Sequence, residues 1–561
     1  MDPGYFVDTA SAEIQQNVYE PLLQFVGSGP NTTVVPWLAQ NYTVSSDGMT
    51  YTFNLRQGIT FQDGSAFNAT AVVFSINRVV LMDSTSSSDY LLDGPHAPGL
   101  INGSSYYSHA VGSGASTYNQ SQVNAYINSH GVEIGANPYQ VIFHLGFPFP
   151  SFPYIIADVF IVSPSTVISH WTPPTDGHGY ITGITTGEED QYMKTHASGT
   201  GPFNLNSWDQ TTNDIVLSSN SKYWGTPNNS GPAKIPEVDI NYVSSDSARV
   251  LDLKSGAADI SDIPTNDYFA FIDKSAWVAN HSVVVTTPGV SAPGPYATLD
   301  LEFLTMNYVI HNQDGSVASF QPFQNKNFRV AMSDAVNVSD IVRNVINGFG
   351  IQANEAVPPG EHAYNSSIPV DYNFNLTDAQ GNLTLAAKSL GLNASSPKTI
   401  VLAYQIGDAA GQAISTELAN NINNMQLGIT INVSPQPVST FIGALVAGQL
   451  AFGVLSFVPD YPDSPDYLSI VALPGNLASF VSYNNTVVVS ELDQALGETN
   501  QTLRAQLLQQ VQILINQDVA YVWFYYPSVF GETGQMFRTW VHGFQFLTQS
   551  NGIFFYQLSK S

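Results

Sequence analysis

The spacing of apolar residues predicts helices in some stretches of the chain and strands in others. Near the start, apolar residues recur every three or four positions, which predicts a helix over residues 11–26. Residues 42–61 alternate between apolar and polar side chains instead, and this period of two is typical of strands. The dipeptide Asp47-Gly48 within that stretch predicts a tight turn between two strands.

Helices and strands alternate through the second half of the chain, from about residue 299 to residue 530. This alternation predicts mixed α/β lobes. Stretches 83–137 and 172–199 are rich in Ser, Gly, Tyr and Asn and predict long loops. The predicted helices cover 71–81, 247–255 with Gly256 just past its end, 328–347, 411–426 and 501–517, and the predicted strands include 399–404, 430–433 and 519–526.

The length of the chain, 561 residues, exceeds the roughly 250–300 residues at which a single hydrophobic core stops growing. We therefore expect two or three lobes. No apolar run approaches the ~18 residues that a membrane span needs, so no transmembrane segment is predicted.

Charge is scarce and strongly negative. Charged residues make up 11% of the chain, against about 25% in ordinary soluble domains. The 16 Lys and Arg and 44 Asp and Glu give a formal charge of −28, which disfavours nucleic acids and anionic membranes as partners. Two explanations stay open: adaptation to acid, as in an acidophilic or thermophilic archaeon, and the ordinary composition of a secreted protein.

The chain has no cysteine, which excludes disulfides and thiolate metal sites. Fifteen Asn-x-Ser/Thr sequons mildly favour an extracellular protein that carries surface glycans. The chain opens on Met1-Asp2-Pro3 without a signal peptide. We expect a targeting segment, and an anchor that tethers the protein to the cell surface, to lie outside this sequence.

Several short motifs, spread in order over nearly the whole chain, resemble one family. They include Asp2-Pro3, Val18-Tyr19-Glu20-Pro21-Leu22, Ser46 to Phe53, Leu55 to Gly64, Gly199-Thr200-Gly201-Pro202-Phe203, Asn327 to Met332 and Phe457 to Asp466. In this order they resemble the extracellular solute-binding proteins of ABC importers, in the class that takes peptides, nickel or oligosaccharides. This sequence lacks the strand that normally precedes the Asp-Pro pair, and its two long loops depart from the family pattern.

The resemblance implies a two-lobed periplasmic-binding-protein-like α/β fold with an extra subdomain on the first lobe. Lobe I would comprise residues 1–37, 198–297 and 528–561, the subdomain 38–197, and lobe II 298–527. Two strands near 297–305 and 524–530 would form the hinge. Such a protein closes on an intact solute and delivers it to a membrane permease, so we expect a monomer and not an enzyme.

The family pattern also implies where the solute binds. Asp460 matches the position whose carboxylate pairs with the α-amino group of a peptide, although it could also cap the turn formed by the nearby prolines. Phe457 keeps a flat apolar wall where relatives commonly have Trp. The other side chains predicted to line the cleft are Tyr404, Tyr461, Trp523, Tyr525, Tyr526 and Asn307. The scarce cations Arg56 and Arg329 are predicted to anchor carboxylates or carbonyls.

No metal and no cofactor are predicted. The spacing of Asp460, Asp463 and Asp466 lacks the alternating acidic pattern and central glycine of a calcium loop. An oligopeptide or dipeptide is the favoured solute, and an oligosaccharide remains the alternative. Two other classes stay open: a secreted hydrolase, although the chain has neither a Gly-x-Ser-x-Gly nor a His-Glu-x-x-His motif, and a surface-layer component.

Overall fold

The computed structural model of the protein describes residues 1–4, 9–27, 32–82, 92, 99–104, 120–170, 192–227, 231–370, 373–547 and 552–561. Most of the two predicted loops, 83–137 and 172–199, therefore lies outside the described residues. No helix in the described ranges is both long enough and apolar enough to cross a membrane.

The strands of the described ranges vary from two to nine residues in length. In chain order they are β1 (Glu20–Pro21), β2 (Leu23–Val26), β3 (Thr33–Pro36), β4 (Ala39–Val44), β5 (Thr50–Leu55), β6 (Val132–Ile134), β7 (Gln140–His144), β8 (Phe160–Ile161), β9 (Phe203–Asp209), β10 (Asp214–Ser219), β11 (Glu237–Ile240), β12 (Ile260–Asp262), β13 (Val290–Ser291), β14 (Tyr296–Ala297), β15 (Leu301–Met306), β16 (Gly350–Gln352), β17 (Lys398–Gln405), β18 (Ile429–Gln436), β19 (Phe452–Phe457), β20 (Tyr521–Val529), β21 (Gln535–Arg538), β22 (Val541–His542) and β23 (Ser559–Lys560).

The helices are concentrated in the second half of the chain. They are α1 (Thr9–Val18), α2 (Ala69–Met82), α3 (Gln120–Asn128), α4 (Phe152–Ile156), α5 (Pro164–His170), α6 (Asp246–Ser255), α7 (Lys274–Asn280), α8 (Lys326–Asp334), α9 (Val338–Asp340), α10 (Leu376–Leu390), α11 (Ala409–Asn424), α12 (Val438–Val446), α13 (Ser464–Ala472), α14 (Leu477–Phe480), α15 (Thr486–Gly497) and α16 (Gln501–Asp518), with 3-10 turns at Thr265–Ala270, Pro322–Gln324 and Phe555–Gln557 and a π-helical segment at Ile341–Val345.

The largest sheet has seven strands in the order β14-β20-β15-β19-β17-β18, with β16 beside β20. Strand β17 is parallel to both β18 and β19, whereas β15 and β20 are antiparallel to their neighbours. Both faces are buried: Leu304 and Val454 pack on one side, and Phe303 and Trp523 on the other. A sheet covered on both faces is the arrangement expected of an α/β lobe.

A separate core joins stretches of chain that are far apart in sequence. It contains Met1, Val18, Phe203, Phe537 and Leu558, which belong to three different parts of the predicted lobe I. The four-stranded sheet β4-β5-β7-β6 lies in the predicted subdomain. The residue ranges of the lobes and the subdomain stay a prediction, and we use them below as names.

Two helix predictions are wrong. The first helix ends at Val18 instead of running to residue 26, and Pro21 explains why, because proline has no N–H and disfavours helix at the residue before it. The predicted helix 328–347 is broken after Asp334. There the side chain of Asn337 accepts the Asp340 N–H and starts a new turn, which is how Asn competes with a continuous helix.

Other local predictions are confirmed. Gly48 has a φ of 73° in the turn between β4 and β5, and Gly256 has a φ of 82° at the end of α6. Arg329 donates to the carbonyls of Phe323, Asp518 and Val519 at 2.6–3.2 Å, and Arg56 donates to a carbonyl as well. Both arginines therefore bind backbone carbonyls, which is one of the two roles predicted from the scarcity of cations.

The subdomain contacts lobe II at a buried ion pair that lies within lobe II. The Arg504 guanidinium lies 2.7 Å from the nearer Asp463 oxygen, and both side chains are 3% exposed. Ser151, at the start of α4 in the subdomain, donates to the same Asp463 oxygen at 2.7 Å and lies 2.8 Å from Arg504 Nη2. These three side chains hold the subdomain against lobe II, so the described arrangement is closed at this point.

Several carboxyl groups are buried within the lobes. Glu20 is 2% exposed and accepts hydrogen bonds from Trp37, Thr200, Tyr223 and Trp224 at 2.6–2.8 Å. Burial raises its pKa to about 7, against the lowering effect of those donors. Burial acts in the same direction on other carboxyls and raises the pKa of Glu13 to about 7 and those of Glu355, Glu361 and Glu532 to about 8.

We expect replacement of Asp463 by Ala to destabilise the fold by about 3–5 kcal/mol, because Arg504 would remain buried without its partner. The matched control is Asp340→Ala, which removes an exposed ion pair with Arg343 and should cost about 0–1 kcal/mol. The free energy of unfolding in urea measures both. Equal losses in the two variants would contradict the structural role of the buried pair.

We also expect the protein to lose stability as pH rises. The buried carboxyls keep their protons to higher pH in the folded state than in the unfolded state, so the native state binds more protons between about pH 4.5 and pH 8. The free energy of unfolding must therefore fall across this window, and the melting temperature should be higher at pH 5 than at pH 8.

Calorimetry at constant ionic strength tests this pH dependence. Glu355→Gln keeps acceptor capacity for the Asn365 N–H and removes one titrating group, so its profile should be flatter than that of the wild type. Glu237→Gln changes an exposed position on β11 and should leave the profile unaltered. A melting temperature that rises from pH 5 to pH 8 would overturn the expectation.

Candidate functional site

The parallel strands of lobe II end at one edge of the large sheet. Strands β17, β18 and β19 run in the same direction, so the loops that follow them begin at the same edge. Strand β15 is antiparallel to β19 and starts there, with Leu301 opposite Phe457. In open α/β sheets, solutes bind outside the carboxyl ends of the parallel strands. This edge is the candidate site.

Asp460 lies in the loop that connects β19 to α13. Its backbone N–H donates to Asp466 Oδ2 at 2.7 Å, and Asp466 is fully buried. Asp466, and not Asp460, thus holds the turn. The Asp460 side chain is partly exposed, although protein surrounds it.

The electrostatics of Asp460 involve the subdomain. Burial, followed by the nearby carboxylate of Asp158, raises the pKa of Asp460 to about 7. Burial and the charge of Asp460 likewise raise the pKa of Asp466 well above its usual range. Asp158 follows α4 of the subdomain, whereas Asp460 and Asp466 belong to lobe II. Carboxylates from both sides of the molecule are therefore close together at this edge.

The predicted aromatic lining divides into two groups. Phe457 is half-buried at the end of β19, and its ring packs edge-on against Tyr467 with 5.5 Å between centroids. Tyr461 is fully buried, and its hydroxyl makes no hydrogen bond to any residue in the described ranges. Tyr404, near the end of β17, is 7% exposed and packs in the core of lobe II. These three side chains share the edge with Asp460.

Asn307, Trp523 and Tyr526 are occupied by contacts within the protein. Asn307 Nδ2 donates to the carbonyls of Gly448 and Leu450, and Trp523 Nε1 donates to Asn516 at 2.7 Å. The Tyr526 hydroxyl lies 2.8 Å and 2.9 Å from the carbonyls of Glu355 and Val357. All three are at most 1% exposed. They support the lobe from inside, so we leave them out of the site proposed below.

Glu302 and Asp408 were missed by sequence reasoning. Glu302 is on β15, and Asp408 caps α11 by accepting the Gly411 N–H at 2.8 Å. Burial, and then the charges of Asp408 and Asp300, raise the pKa of Glu302 to about 8, against a hydrogen bond from Ser456. One signal was available: Glu302 is the single charged residue in the apolar strand LEFLTM.

Two cavities lie away from Asp460. One of about 320 Å³ is lined by Tyr42, Tyr51 and Pro153 of the subdomain and by Thr499 of lobe II. The other, of about 610 Å³, opens along the outer face of α11 near Glu417. Neither combines charged groups from both lobes, so the edge with Asp460 remains the better candidate on chemical grounds.

Comparisons with known proteins agree with this architecture. The chain is 23% identical over 539 residues to the probable D,D-dipeptide-binding periplasmic protein of Escherichia coli K12, covering 94% of this chain and 86% of that protein. It is also 23% identical over 539 residues to heme-binding protein A of Haemophilus influenzae, covering 90% and 81%.

A solved structure confirms the predicted two-lobed α/β fold. The ABC transporter-associated periplasmic binding protein DppA of Helicobacter pylori, in complex with the peptide STSA, matches with a TM-score of 0.71 and 20% identity, covering 100% of this chain and 95% of that one. The model of bacterial extracellular solute-binding proteins, family 5 (middle), matches residues 33–479, which is more than half of the chain. The protein therefore belongs to the family 5 extracellular solute-binding proteins.

Proposed function

We propose that the protein captures peptides with a free amino end between its two lobes and delivers them to the membrane permease of an ABC importer. The observation that carries this proposal is the position of Asp460, at the carboxyl edge of lobe II with Asp158 of the subdomain nearby. The names of the E. coli relative and of the H. pylori structure, both of which refer to peptides, support it.

The ammonium group of a peptide suits this site for an electrostatic reason. Taking a charged amine out of water is costly unless an opposite charge replaces its hydration shell. The bond from the Asp460 N–H to Asp466 holds the backbone of the loop, so the position of Asp460 is set before the solute arrives. A bound ammonium also lowers the pKa of Asp460 again, so binding releases protons where this group is still protonated.

Contact with both sides of the molecule couples binding to closure. Asp460 moves with lobe II and Asp158 with the subdomain, so the two carboxylates are near each other only in the closed arrangement. A solute shifts a conformational equilibrium by its difference in affinity for the two states. An ammonium that interacts with both carboxylates binds the closed state better. Phe457, Tyr461 and Tyr404 are the side chains that we propose around the rest of the peptide.

The family leaves several other solutes open, since one relative at 23% identity is named for heme binding. An oligosaccharide is the alternative solute, because carboxylates also accept hydrogen bonds from hydroxyl groups. We further propose that the protein is a monomer without catalytic activity, that it is tethered to the cell surface, and that its sequons carry glycans. Adaptation to acid belongs to the same proposal, and the buried carboxyl groups support it.

Asp460→Asn should weaken the binding of tetra-alanine at least about tenfold, or 1.4 kcal/mol, because the amide cannot neutralise an ammonium. N-acetylated tetra-alanine provides a matched ligand, since it lacks that charge. We expect the wild type to prefer the free peptide strongly and the variant to lose most of this preference. Isothermal titration calorimetry of both proteins with both peptides measures the coupling between Asp460 and the amino end.

The control variant is Asp314→Asn, in an exposed turn of lobe II, which should bind like the wild type. An unchanged affinity of Asp460→Asn for the free peptide would contradict the role of Asp460. Heat from maltotriose or from hemin, with no heat from either peptide, would contradict a peptide as the solute. It would point to an oligosaccharide or to hemin instead.

A further inference from the structure

A second group of polar side chains lies at the same edge of lobe II, apart from Asp460. It consists of Glu302 on β15, Asp408 at the start of α11 and Tyr525 on β20. Neither carboxylate forms an ion pair with any residue that the structure describes. Backbone N–H groups at the start of α11 donate to Asp408 but not to Glu302. The group is negative, partly open to water and without a partner of opposite charge.

The register of the strands brings Glu302 and Tyr525 together. Glu302 is directly opposite Ser456 on β19 and Tyr525 on β20. Side chains directly opposite each other on neighbouring strands lie on the same face, with Cβ atoms about 4.5–5.5 Å apart. Glu302 therefore lies between the Ser456 hydroxyl and the Tyr525 ring.

A β-bulge gives Tyr525 this direction. The register shifts between Glu302 and Phe303, because Phe303 pairs with Trp523 and leaves Phe524 as an extra residue on β20. Without that residue, the alternation of β20 would turn Tyr525 toward the core that contains Trp523. Instead, Tyr525 joins the face with Phe524 and Val522. Bulges commonly redirect a side chain next to a functional site.

The Tyr525 hydroxyl has no partner of its own. The residue is 6% exposed, yet its phenol oxygen makes no hydrogen bond within the described part of the chain. Burial raises the pKa of that hydroxyl, and the charges of Glu302 and Asp408 raise it further, so the oxygen lies near both carboxylates. Gly350 leaves room for the ring, since a Cβ there would come within 3.2 Å of Tyr525 Cδ2.

We propose that Glu302, Asp408 and Tyr525 form a second cation subsite, which binds the ammonium or guanidinium group of a Lys or Arg side chain in the captured peptide. Two carboxylates supply the opposite charge, and the phenol offers an oxygen acceptor and an aromatic face. The inference rests on the proposed function, because it concerns another part of the same solute. It adds a preference for basic peptides to the recognition of the amino end.

The surroundings of the subsite also give it a pH dependence. The groups that face Glu302 are Asp300 from the start of its own strand, Asp408 from α11, Ser456 from β19 and Tyr525 from β20. None of them is a cation. A bound cation favours the ionised form of Glu302, so binding of a basic side chain must release a proton at neutral pH. The preference for a basic peptide should therefore increase from pH 5 to pH 8.5.

Titration calorimetry with matched peptides tests the subsite. The ligands are tetra-alanine with one Lys at position 2, 3 or 4, and the same peptides with norleucine, which keeps the methylene chain but lacks the charge. We expect the wild type to bind one of the Lys peptides at least about tenfold more tightly than its norleucine partner. Glu302→Gln should reduce the ratio of the affinities for the Lys and norleucine peptides to less than about threefold. The affinity for the norleucine peptide should change little.

Two further variants separate recognition from folding. Asp408→Asn retains a good helix cap and should reduce the same ratio, and Tyr525→Phe should reduce it to a smaller extent. Melting temperatures without ligand check that each variant is folded. Glu237→Gln, on an exposed strand of lobe I, should keep the wild-type ratio.

The outcomes distinguish this inference from the proposed function. If no peptide binds, the proposed function fails and the subsite fails with it. If Lys and norleucine peptides bind equally, or if Glu302→Gln keeps the preference, only the subsite is overturned. Heat from calcium chloride alone that disappears in Glu302→Gln would assign the site to a metal ion and also overturn it.

Discussion

The structure depends on one electrostatic constraint, which is the burial of carboxylates without a protein cation beside them. The chain has 44 acidic residues and only 16 Lys and Arg. Its buried arginines are used elsewhere: Arg78 pairs with Asp2, Arg504 with Asp463, and Arg329 with backbone carbonyls. Glu302 and Asp408 form no ion pair with a described residue, and they are the carboxyl groups that we propose take a cation from the solute.

This constraint connects capture with closure. Strand β15, which is predicted to be part of the hinge, starts at the edge where the parallel strands end, and Asp158 of the subdomain lies near Asp460 there. The contact of Ser151 with Asp463 and Arg504 stabilises the closed arrangement. In the function that we propose, a positively charged solute adds to that stabilisation by reducing repulsion between Asp460 and Asp158. The same electrostatics would link the proposed capture to the proton concentration of the surroundings.

The sequence predicted Asp460 and Tyr525 but neither Glu302 nor Asp408, for a physical reason. Asp460 was predicted because it lies within one continuous stretch of sequence that resembles the family, and that stretch contains both the loop and its carboxylate. Glu302, Asp408 and Tyr525 are separated by more than 100 residues at each step and meet only through strand pairing and a bulge. Trp523 and Tyr526 belong to the same predicted lining as Tyr525, and the structure shows that both make hydrogen bonds within the lobe.

The sequence by itself determined the class of the fold, most helix and strand positions, and the family, because these depend on local periodicity and on motifs kept in order. It also determined that cations would be scarce. Only the tertiary structure decided which carboxylates lose their water and which receive an arginine. Burial and charge pairing depend on residues that are distant in the chain, and their energies are set by the distances and exposure that folding creates.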